Sequence, residues 1–275
     1  MDKSILPICF AIAGLAGCLA ADLRVERHGP GIAKRLCAHR GLSAALPENS
    51  LPAFGAAVAA GAAEIEFDLW WTKDGEIVSL HDATLGRVSN GSGVVYEKTF
   101  AELKGLDFGV RRGGHFKGLR IVRFEDILRQ FAGRTIMNIH LKTTDGHWQD
   151  EHLAKVLELI DRYGVRRSVY FMTEWFALQE QLARAAPDIP RCMGHSGTNE
   201  NDEIVDNAVK YGCRMVQLFK PYFTGRTFER AHAAGLRCNV YWADDPEEAK
   251  RLFEMGADTV LTNDYLPVSA ATGVK

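Results

Sequence analysis

Apolar positions along this chain fall into two alternating patterns: short runs of strand length bounded by glycine or polar clusters, and longer stretches with the spacing of a helix face. Arg35 to His39 reads as a strand. A helix follows from Ser50, a good N-cap, through Ala60, with Pro52 in its first turn and Gly61 at its stop. Ala63 to Trp71 and Glu76 to His81 are further strands. From Arg134 onward the alternation is regular. Strands are expected at Arg134 to Leu141, Ser168 to Thr173, Arg191 to Gly194, Arg214 to Leu218, Arg237 to Trp242 and Thr259 to Thr262. Helices are expected at Asp150 to Tyr163, Trp175 to Ala186, Asn201 to Tyr211, Thr224 to Ala234 and Pro246 to Met255. The pattern predicts an α/β chain with a parallel sheet, closed most simply as a TIM-type (β/α)8 barrel over residues 34–269. An open doubly wound sheet is the alternative. No glycine-rich dinucleotide fingerprint follows the first strand, which weighs against it.

One segment breaks the rhythm. Asp68 and His81 are too close in sequence for a helix between them, and Asp74-Gly75 is a strong hairpin signal. A turn on those two residues pairs Lys73 with Glu76, Trp71 with Val78 and Asp68 with His81. Opposed residues share a face, and Glu66 joins it by the strand period of two. Spacing alone therefore expects two carboxylates and an imidazole on one surface of a hairpin that carries the site. Residues 84–125 are less regular, with Asn90-Gly91-Ser92-Gly93, a short helix near Phe100 to Lys104 and a basic, glycine-rich Arg111 to Lys117. They read as an insertion after the third strand, forming one wall of the site.

Composition narrows the class. The 275 residues are 47% hydrophobic and 25% charged, with a formal net charge of −2. That excludes a basic footprint for nucleic acid, so an anionic ligand must be held by a few placed cations. The first 21 residues differ: after Lys3, Ile5 to Ala21 is an uncharged apolar run of about 17 residues, short for a span and apt for a secretory signal. Leu15-Ala16-Gly17-Cys18 resembles a bacterial lipobox, with ordinary cleavage after Ala20 or Ala21 as the other reading. The expectation is an exported protein, periplasmic or a membrane-anchored lipoprotein of a bacterial envelope, touching membrane only through its leader or lipid anchor. Cys37, Cys192, Cys213 and Cys238 lie in or beside apolar runs without C-x-x-C spacing, and read as buried thiols.

Candidate chemistry sits at strand ends, where barrels keep their functional residues. His39-Arg40 ends the first strand, Glu66 and Asp68 lie on the second, His81-Asp82 ends the third, and His140 with Lys142 ends the fourth. Phosphodiester cleavage needs a proton acceptor, a proton donor and cationic groups for the phosphoryl oxygens, and these are the parts on offer. A salt-bridged strand face and a solvated lysine are the plainer readings of Glu66, Asp68 and Lys142. Trp70, Tyr241 and Trp242 are candidate pocket residues; Trp71, on the opposite face, reads as packing. His195 and Lys220-Pro221-Tyr222 follow later strands and read as loop residues. Glu48 and Asn49 either cap the first helix or orient the site.

The motifs then become specific. Ala38-His39-Arg40-Gly41, Pro47-Glu48-Asn49-Ser50 and Ala53-Phe54 resemble the HRG…PENT…AF opening of the glycerophosphodiester phosphodiesterase family, within the PLC-like phosphodiesterase superfamily. Glu64-Ile65-Glu66-Phe67-Asp68-Leu69, Thr72-Lys73-Asp74-Gly75 and His81-Asp82 are similar to its E-x-D…TKDG…HD core, and Asn90-Gly91-Ser92-Gly93 to its NGTG. Asp245-Pro246, Gly256-Ala257-Asp258 and Thr262-Asn263-Asp264 approximate its close. The resemblance implies a barrel and a metal-dependent hydrolase. Its substrate is a small-molecule glycerophosphodiester, cleaved to glycerol 3-phosphate and an alcohol with the adjacent glycerol hydroxyl assisting. It implies His39 and His81 as the acid/base pair, Arg40 and Lys142 as phosphate ligands, and Glu66 and Asp68 as ligands of one divalent cation, Ca²⁺ or Mg²⁺. A lipid phosphodiesterase resembling sphingomyelinase D, or a catalytically weak phosphate-ester binding module, are the alternatives.

The sequence departs from the family at the third metal ligand. Asn138-Ile139-His140-Leu141-Lys142 puts His140 where the family has a glutamate. Two carboxylates and a neutral imidazole leave a 2+ ion roughly neutralised, against roughly −1 for three carboxylates. Mn²⁺ or Zn²⁺ then suits the donor set better than Ca²⁺ or Mg²⁺. Asp145 is a candidate for a compensating carboxylate.

Overall fold

A computed structural model describes residues 23–25, 29, 31–196 and 202–275. Ten strands run in chain order among these residues: β1 (Arg35–His39), β2 (Glu64–Trp71), β3 (Ile77–Ser79), β4 (Val122–Arg123), β5 (Ile136–Leu141), β6 (Val169–Thr173), β7 (Arg191–Gly194), β8 (Met215–Phe219), β9 (Arg237–Tyr241) and β10 (Thr259–Thr262). Eight of them are parallel neighbours in the order β1-β2-β5-β6-β7-β8-β9-β10, and β10 pairs back onto β1, so the sheet closes. This is the expected (β/α)8 barrel. The staves are buried along almost their whole length because helices cover the outside and side chains fill the inside.

The helices are α1 (Leu51–Ala59), α2 (Phe100–Lys104), α3 (Phe124–Phe131), α4 (Asp150–Arg162), α5 (Phe176–Ala185), α6 (Glu203–Lys210), α7 (Gly225–Ala233), α8 (Pro246–Met255) and α9 (Tyr265–Thr272). Ser50 caps α1, its hydroxyl accepting from the Ala53 N–H at 3.3 Å. The sequence reading assigns no helix between the insertion, ending at residue 125, and the strand from Arg134, yet α3 is a barrel helix there. Phe124, Ile127, Leu128 and Phe131 form its buried stripe. It begins directly after β4 with Arg123 at the N-cap and no side-chain cap, so the usual start signal is missing. No described helix is long and apolar enough to cross a membrane. The leader expected at residues 1–21 lies outside the described residues.

The hairpin is real, but its register differs by one residue. β3 lies antiparallel on the upper part of β2, with Leu69 opposite Ser79, Trp70 opposite Val78 and Trp71 opposite Ile77. The turn uses three residues, Lys73-Asp74-Gly75. The Thr72 hydroxyl donates to Asp74 Oδ1 at 2.6 Å and accepts from the Glu76 N–H at 2.9 Å, while Gly75 takes a φ of 75°. A one-residue slip exchanges the faces. Leu80, not His81, therefore stands opposite Asp68, its N–H donating to the Asp68 carbonyl at 3.2 Å.

The insertion builds a second apolar cluster around Trp70, Val78, Leu80, Leu85, Val95, Leu103 and Ile121. The four described cysteines are buried and free of disulfides, as read from the sequence.

Candidate active site

Barrel register brings the polar residues together. On β2 every second residue points inward, giving the row Glu64, Glu66, Asp68. His39 on β1 is the parallel partner of Glu66, and His140 on β5 is the partner of Asp68. Glu64 belongs to a buried floor, where Tyr170 Oη donates to it at 2.5 Å and Asn239 Nδ2 donates to Tyr170 Oη at 2.9 Å. Above the floor opens a cavity of about 240 Å³. It is lined by His39, Arg40, Glu66, Asp68, His81 and His140, and by Glu174, His195, Gln217, Phe219 and Tyr241.

The two histidines are held differently. His39 is 6% exposed, lies edge-on to Tyr241 with ring centroids 5.0 Å apart, and places Nε2 3.8 Å from Glu66 Oε2. Its Nδ1 is 2.7 Å from Asn263 Oδ1. The Asn263 amide is itself oriented, Nδ2 donating to Asp244 Oδ2 at 2.9 Å. With its oxygen turned to the ring, Nδ1 carries the His39 proton and Nε2 faces the cavity as an acceptor. Burial, then the Arg40 charge, lowers His39 from its ordinary value to about 4. His81 enters from the segment after β3, which is why it reaches the cavity despite the register. Its Nδ1 sits 2.6 Å from Asp82 Oδ1, and its carbonyl accepts from Trp70 Nε1 at 3.2 Å. Arg87 clamps Asp82 from behind and binds Glu48 through both Nη atoms at 2.7 Å. Burial lowers His81 too, against the opposing pull of Asp68 and Asp82.

The carboxylates are strongly differentiated. Burial, then the neighbouring Asp68 charge, pushes Glu66 up to about 8. Burial also acts on Asp68, but the His140 hydrogen bond and the charges of His81, Lys142 and Arg40 hold it well below the usual carboxylate range. Asn49 grips Asp68 twice: Nδ2 donates to Oδ2 at 2.9 Å, and Oδ1 accepts from the Asp68 N–H at 3.3 Å. The other carboxylate oxygen, Asp68 Oδ1, is buried without a hydrogen bond of good geometry; Lys142 Nζ stands 3.9 Å away. Arg40, in left-handed backbone at φ 57°, lays Nη1 on Glu48 Oε1 at 3.1 Å and Nε 3.6 Å from Asp68 Oδ2. Glu48 and Asn49 therefore orient the site, and Ser50 does the capping.

Glu66, Asp68 and His140 each offer a ligand atom, all within 4.8 Å of one another. With the orphaned Asp68 oxygen among them, they fit one divalent cation. The sequence reading missed a neighbour. Glu174, just past β6, places Oε2 3.2 Å from His140 Nε2, while Asp68 Oδ1 lies 3.2 Å from Nδ1. The signal was its place immediately after a barrel strand. Burial and the Lys142 charge press His140 down, but hydrogen bonds to Asp68 and Glu174 outweigh them, so its pKa is raised. Asp145 is not the compensating carboxylate. It accepts from Thr143 Oγ1 at 2.9 Å and from the His147 N–H at 3.1 Å in the loop beyond β5, away from the cavity.

The aromatic expectations divide. Tyr241 lines the cavity, but Trp70 and Trp242 do not. Pairing of β2 with β5 ends at Leu69, where pairing with β3 begins, so Trp70 packs into the insertion's cluster and supports His81 through the backbone. Trp242 lies behind Phe219, its Nε1 donating to Asp244 Oδ2 at 3.0 Å. Trp71 packs edge-on against Trp148, centroids 5.1 Å apart, on the outer side as read. His195 does line the cavity, stacked on Tyr222 at 4.6 Å, and Lys220 is paired with Glu248 at 2.6 Å. None of residues 84–125 lines the central cavity; that insertion acts on it from behind, through Arg87.

A model of the glycerophosphoryl diester phosphodiesterase family matches residues 39–266. A glycerophosphodiester phosphodiesterase of Caldanaerobacter subterraneus is 40% identical over 229 residues, covering 82% of this chain and 93% of its own. A crystal structure of a glycerophosphodiester phosphodiesterase from Agrobacterium tumefaciens superposes with a TM-score of 0.73 at 25% identity, covering 86% of this chain and 99% of its own. A phosphodiesterase of Oleispira antarctica, solved with the product sn-glycerol-3-phosphate, gives a TM-score of 0.81 at 23% identity, covering 88% and 97%.

Proposed function

The chain belongs to the glycerophosphoryl diester phosphodiesterase family, a family of phosphoric diester hydrolases, and from that premise we propose that it cleaves glycerophosphodiesters to glycerol 3-phosphate and an alcohol with one divalent cation. The observation that carries this reading is the convergence of His39, His81, Glu66, Asp68, Arg40 and Lys142 at the carboxyl ends of the staves. The glycerol 3-phosphate product of the Oleispira relative supports the choice of substrate class.

Glu66, Asp68 and His140 hold the cation, which when bound supplies charge stabilisation to the phosphoryl oxygens. Ca²⁺ and Mg²⁺ are the family's ions; the His140 nitrogen favours Mn²⁺ or Zn²⁺. Arg40 and Lys142 bind the phosphate, and the buried Arg40 Nε, without a hydrogen bond, is a donor left open for it. His39 takes the nucleophile's proton at Nε2, because its Nδ1 proton is committed to Asn263 and its lowered basicity keeps it neutral near pH 7. His81 gives a proton to the leaving alcohol, with Asp82 stabilising its charged form from Nδ1. An approaching phosphodiester anion favours that charged form further. Tyr241 and Phe219 offer the alcohol an aromatic wall.

Glycerol 3-phosphate release from glycerophosphocholine tests the reading, with protein stripped by EDTA and supplied with Mg²⁺, Ca²⁺, Mn²⁺ or Zn²⁺. Activity is expected with at least one ion, and His39→Ala is expected to lower turnover by about 10²-fold or more. No release with any ion, while His39→Ala still binds the diester, would leave a binding module. Release of choline from sphingomyelin but not from glycerophosphocholine would favour the lipid phosphodiesterase. The proposal includes export through the leader read in residues 1–21, tested by cell fractionation and by Cys18→Ala.

A further inference from the structure

We propose that Glu174 is the positioning residue that makes His140 a metal ligand: its carboxylate accepts the Nε2 proton and turns the Nδ1 lone pair toward Asp68 and the cation. The inference rests on the metal reading above.

The geometry is two-sided. His140 has a carboxylate oxygen 3.2 Å from each ring nitrogen, Asp68 Oδ1 at Nδ1 and Glu174 Oε2 at Nε2. A neutral imidazole has one N–H and one lone pair, and an ionised carboxylate only accepts. The nitrogen beside Glu66 and Asp68 is Nδ1, so ligation requires its lone pair there and the proton at Nε2. Without an ion each carboxylate favours a proton on the nitrogen it faces; with a cation bound beside Asp68, Glu174 is the acceptor that stabilises the ligating tautomer, and it disfavours the other by facing a lone pair with an anion. Ligating histidines commonly donate their second nitrogen to a carboxylate in this way, and losing the partner typically costs 10–100-fold in metal affinity.

Topology explains why this residue can do it. Met172 on β6 is the parallel partner of His140, and Glu174 lies two residues further along. The strand period brings its side chain back to the inward side, one row above. Glu174 is partly exposed on the cavity wall, with 31% of its side chain accessible, and His140 beneath it only 12%.

The test uses the full chain and Mn²⁺. Binding is measured by calorimetry, and ¹⁴N modulation in the pulsed electron paramagnetic resonance spectrum reports imidazole coordination. Glu174→Ala is expected to weaken Mn²⁺ about 10–100-fold and to diminish the ¹⁴N signal. Glu174→Gln keeps an oxygen acceptor and is expected to fall between, retaining the signal. In a His140→Glu background the same truncation is expected to cost no affinity. Wild-type affinity with an undiminished ¹⁴N signal in Glu174→Ala overturns the inference. An equal loss in the His140→Glu background overturns it as well, making Glu174 a direct ligand or a remote charge. Bound Mn²⁺ without ¹⁴N modulation in the wild type defeats this inference and leaves a metal site. No Mn²⁺ binding by the wild type defeats the metal reading itself and the inference with it.

Discussion

Asn49→Ala tests whether the site is held from beneath, and its cost can be worked from the structure. Asn49 is 5% exposed and serves three buried groups: Asp68 Oδ2 at 2.9 Å, the Asp68 N–H at 3.3 Å and the Ser79 hydroxyl at 3.0 Å. The Ser79 hydroxyl can rotate, so two groups are left stranded. A buried polar group without a partner costs about 1–3 kcal/mol. Asn49 also sits at φ 53°, which asparagine tolerates and alanine does not, adding about 1 kcal/mol. The expected loss is about 3–7 kcal/mol, which at about 2–4 °C per kcal/mol lowers Tm by at least roughly 6 °C.

The glycine variant separates the two contributions. Asn49→Gly removes the same hydrogen bonds without the φ penalty, so it is expected to be about 1 kcal/mol more stable than Asn49→Ala. Both release Asp68, so both are expected to bind Mn²⁺ about 10–100-fold more weakly. Urea unfolding followed by tryptophan fluorescence gives the stability, and calorimetry gives the affinity. An alanine variant within about 1 kcal/mol of wild type, with unchanged Mn²⁺ affinity, would refute the claim that Asn49 orients Asp68.

Three further outcomes are expected. Gly41→Ala forces a Cβ to 2.6 Å from the Ala53 carbonyl carbon at φ 80°, so a loss of at least about 2 kcal/mol and displacement of Arg40 are expected, read by thermal melting and by KM for the diester. Phe67→Ala empties a fully buried site packed edge-on to Phe54 at 5.6 Å and is expected to cost about 3–5 kcal/mol in urea. His152, stacked on Trp71 at 5.5 Å, is lowered below its ordinary 6.5 mainly by burial. A depressed histidine lets the unfolded chain bind the proton first, so its contribution is whole above 6.5 and is lost as pH falls below it. His152→Phe is therefore expected to lose less Tm than wild type between pH 8 and pH 5; an equal loss would count against this assignment.

The barrel and half the site were legible because both follow from periods. Inward rows of a stave are spaced by two, so Glu66 with Asp68, and His140 with Lys142, were bound to share a face. What escaped depends on closure. Asp74-Gly75 marks a hairpin, but whether the loop has two residues or three is settled by the Thr72 hydroxyl, which bonds on both sides of the turn. Trp70 has the right parity for the cavity and the wrong height, because β2 leaves the barrel for β3 after Leu69. α3 carries a helical stripe that the sequence displays, hidden by the missing N-cap signal. Asn263, just past β10, becomes a neighbour of His39 only where β10 closes onto β1, and Glu174 reaches His140 because β6 pairs with β5 and its side chain returns inward one row above.

Glu174 also changes what His140 means. Taken alone, a histidine in the glutamate's place removes a negative charge and leaves a 2+ ion roughly neutralised. Glu174 lies 3.2 Å from Nε2, on the far side of the ring from Asp68, so it fixes the imidazole and adds no donor to the set Glu66, Asp68 and His140. The softer donor argues for Mn²⁺ or Zn²⁺, and a fixed tautomer would offset part of the affinity that the lost charge takes away. His140→Glu alone restores the three-carboxylate set that the family resemblance implies, and it leaves Glu174 with no ring nitrogen to orient, which is why truncating Glu174 in that background is expected to cost no affinity.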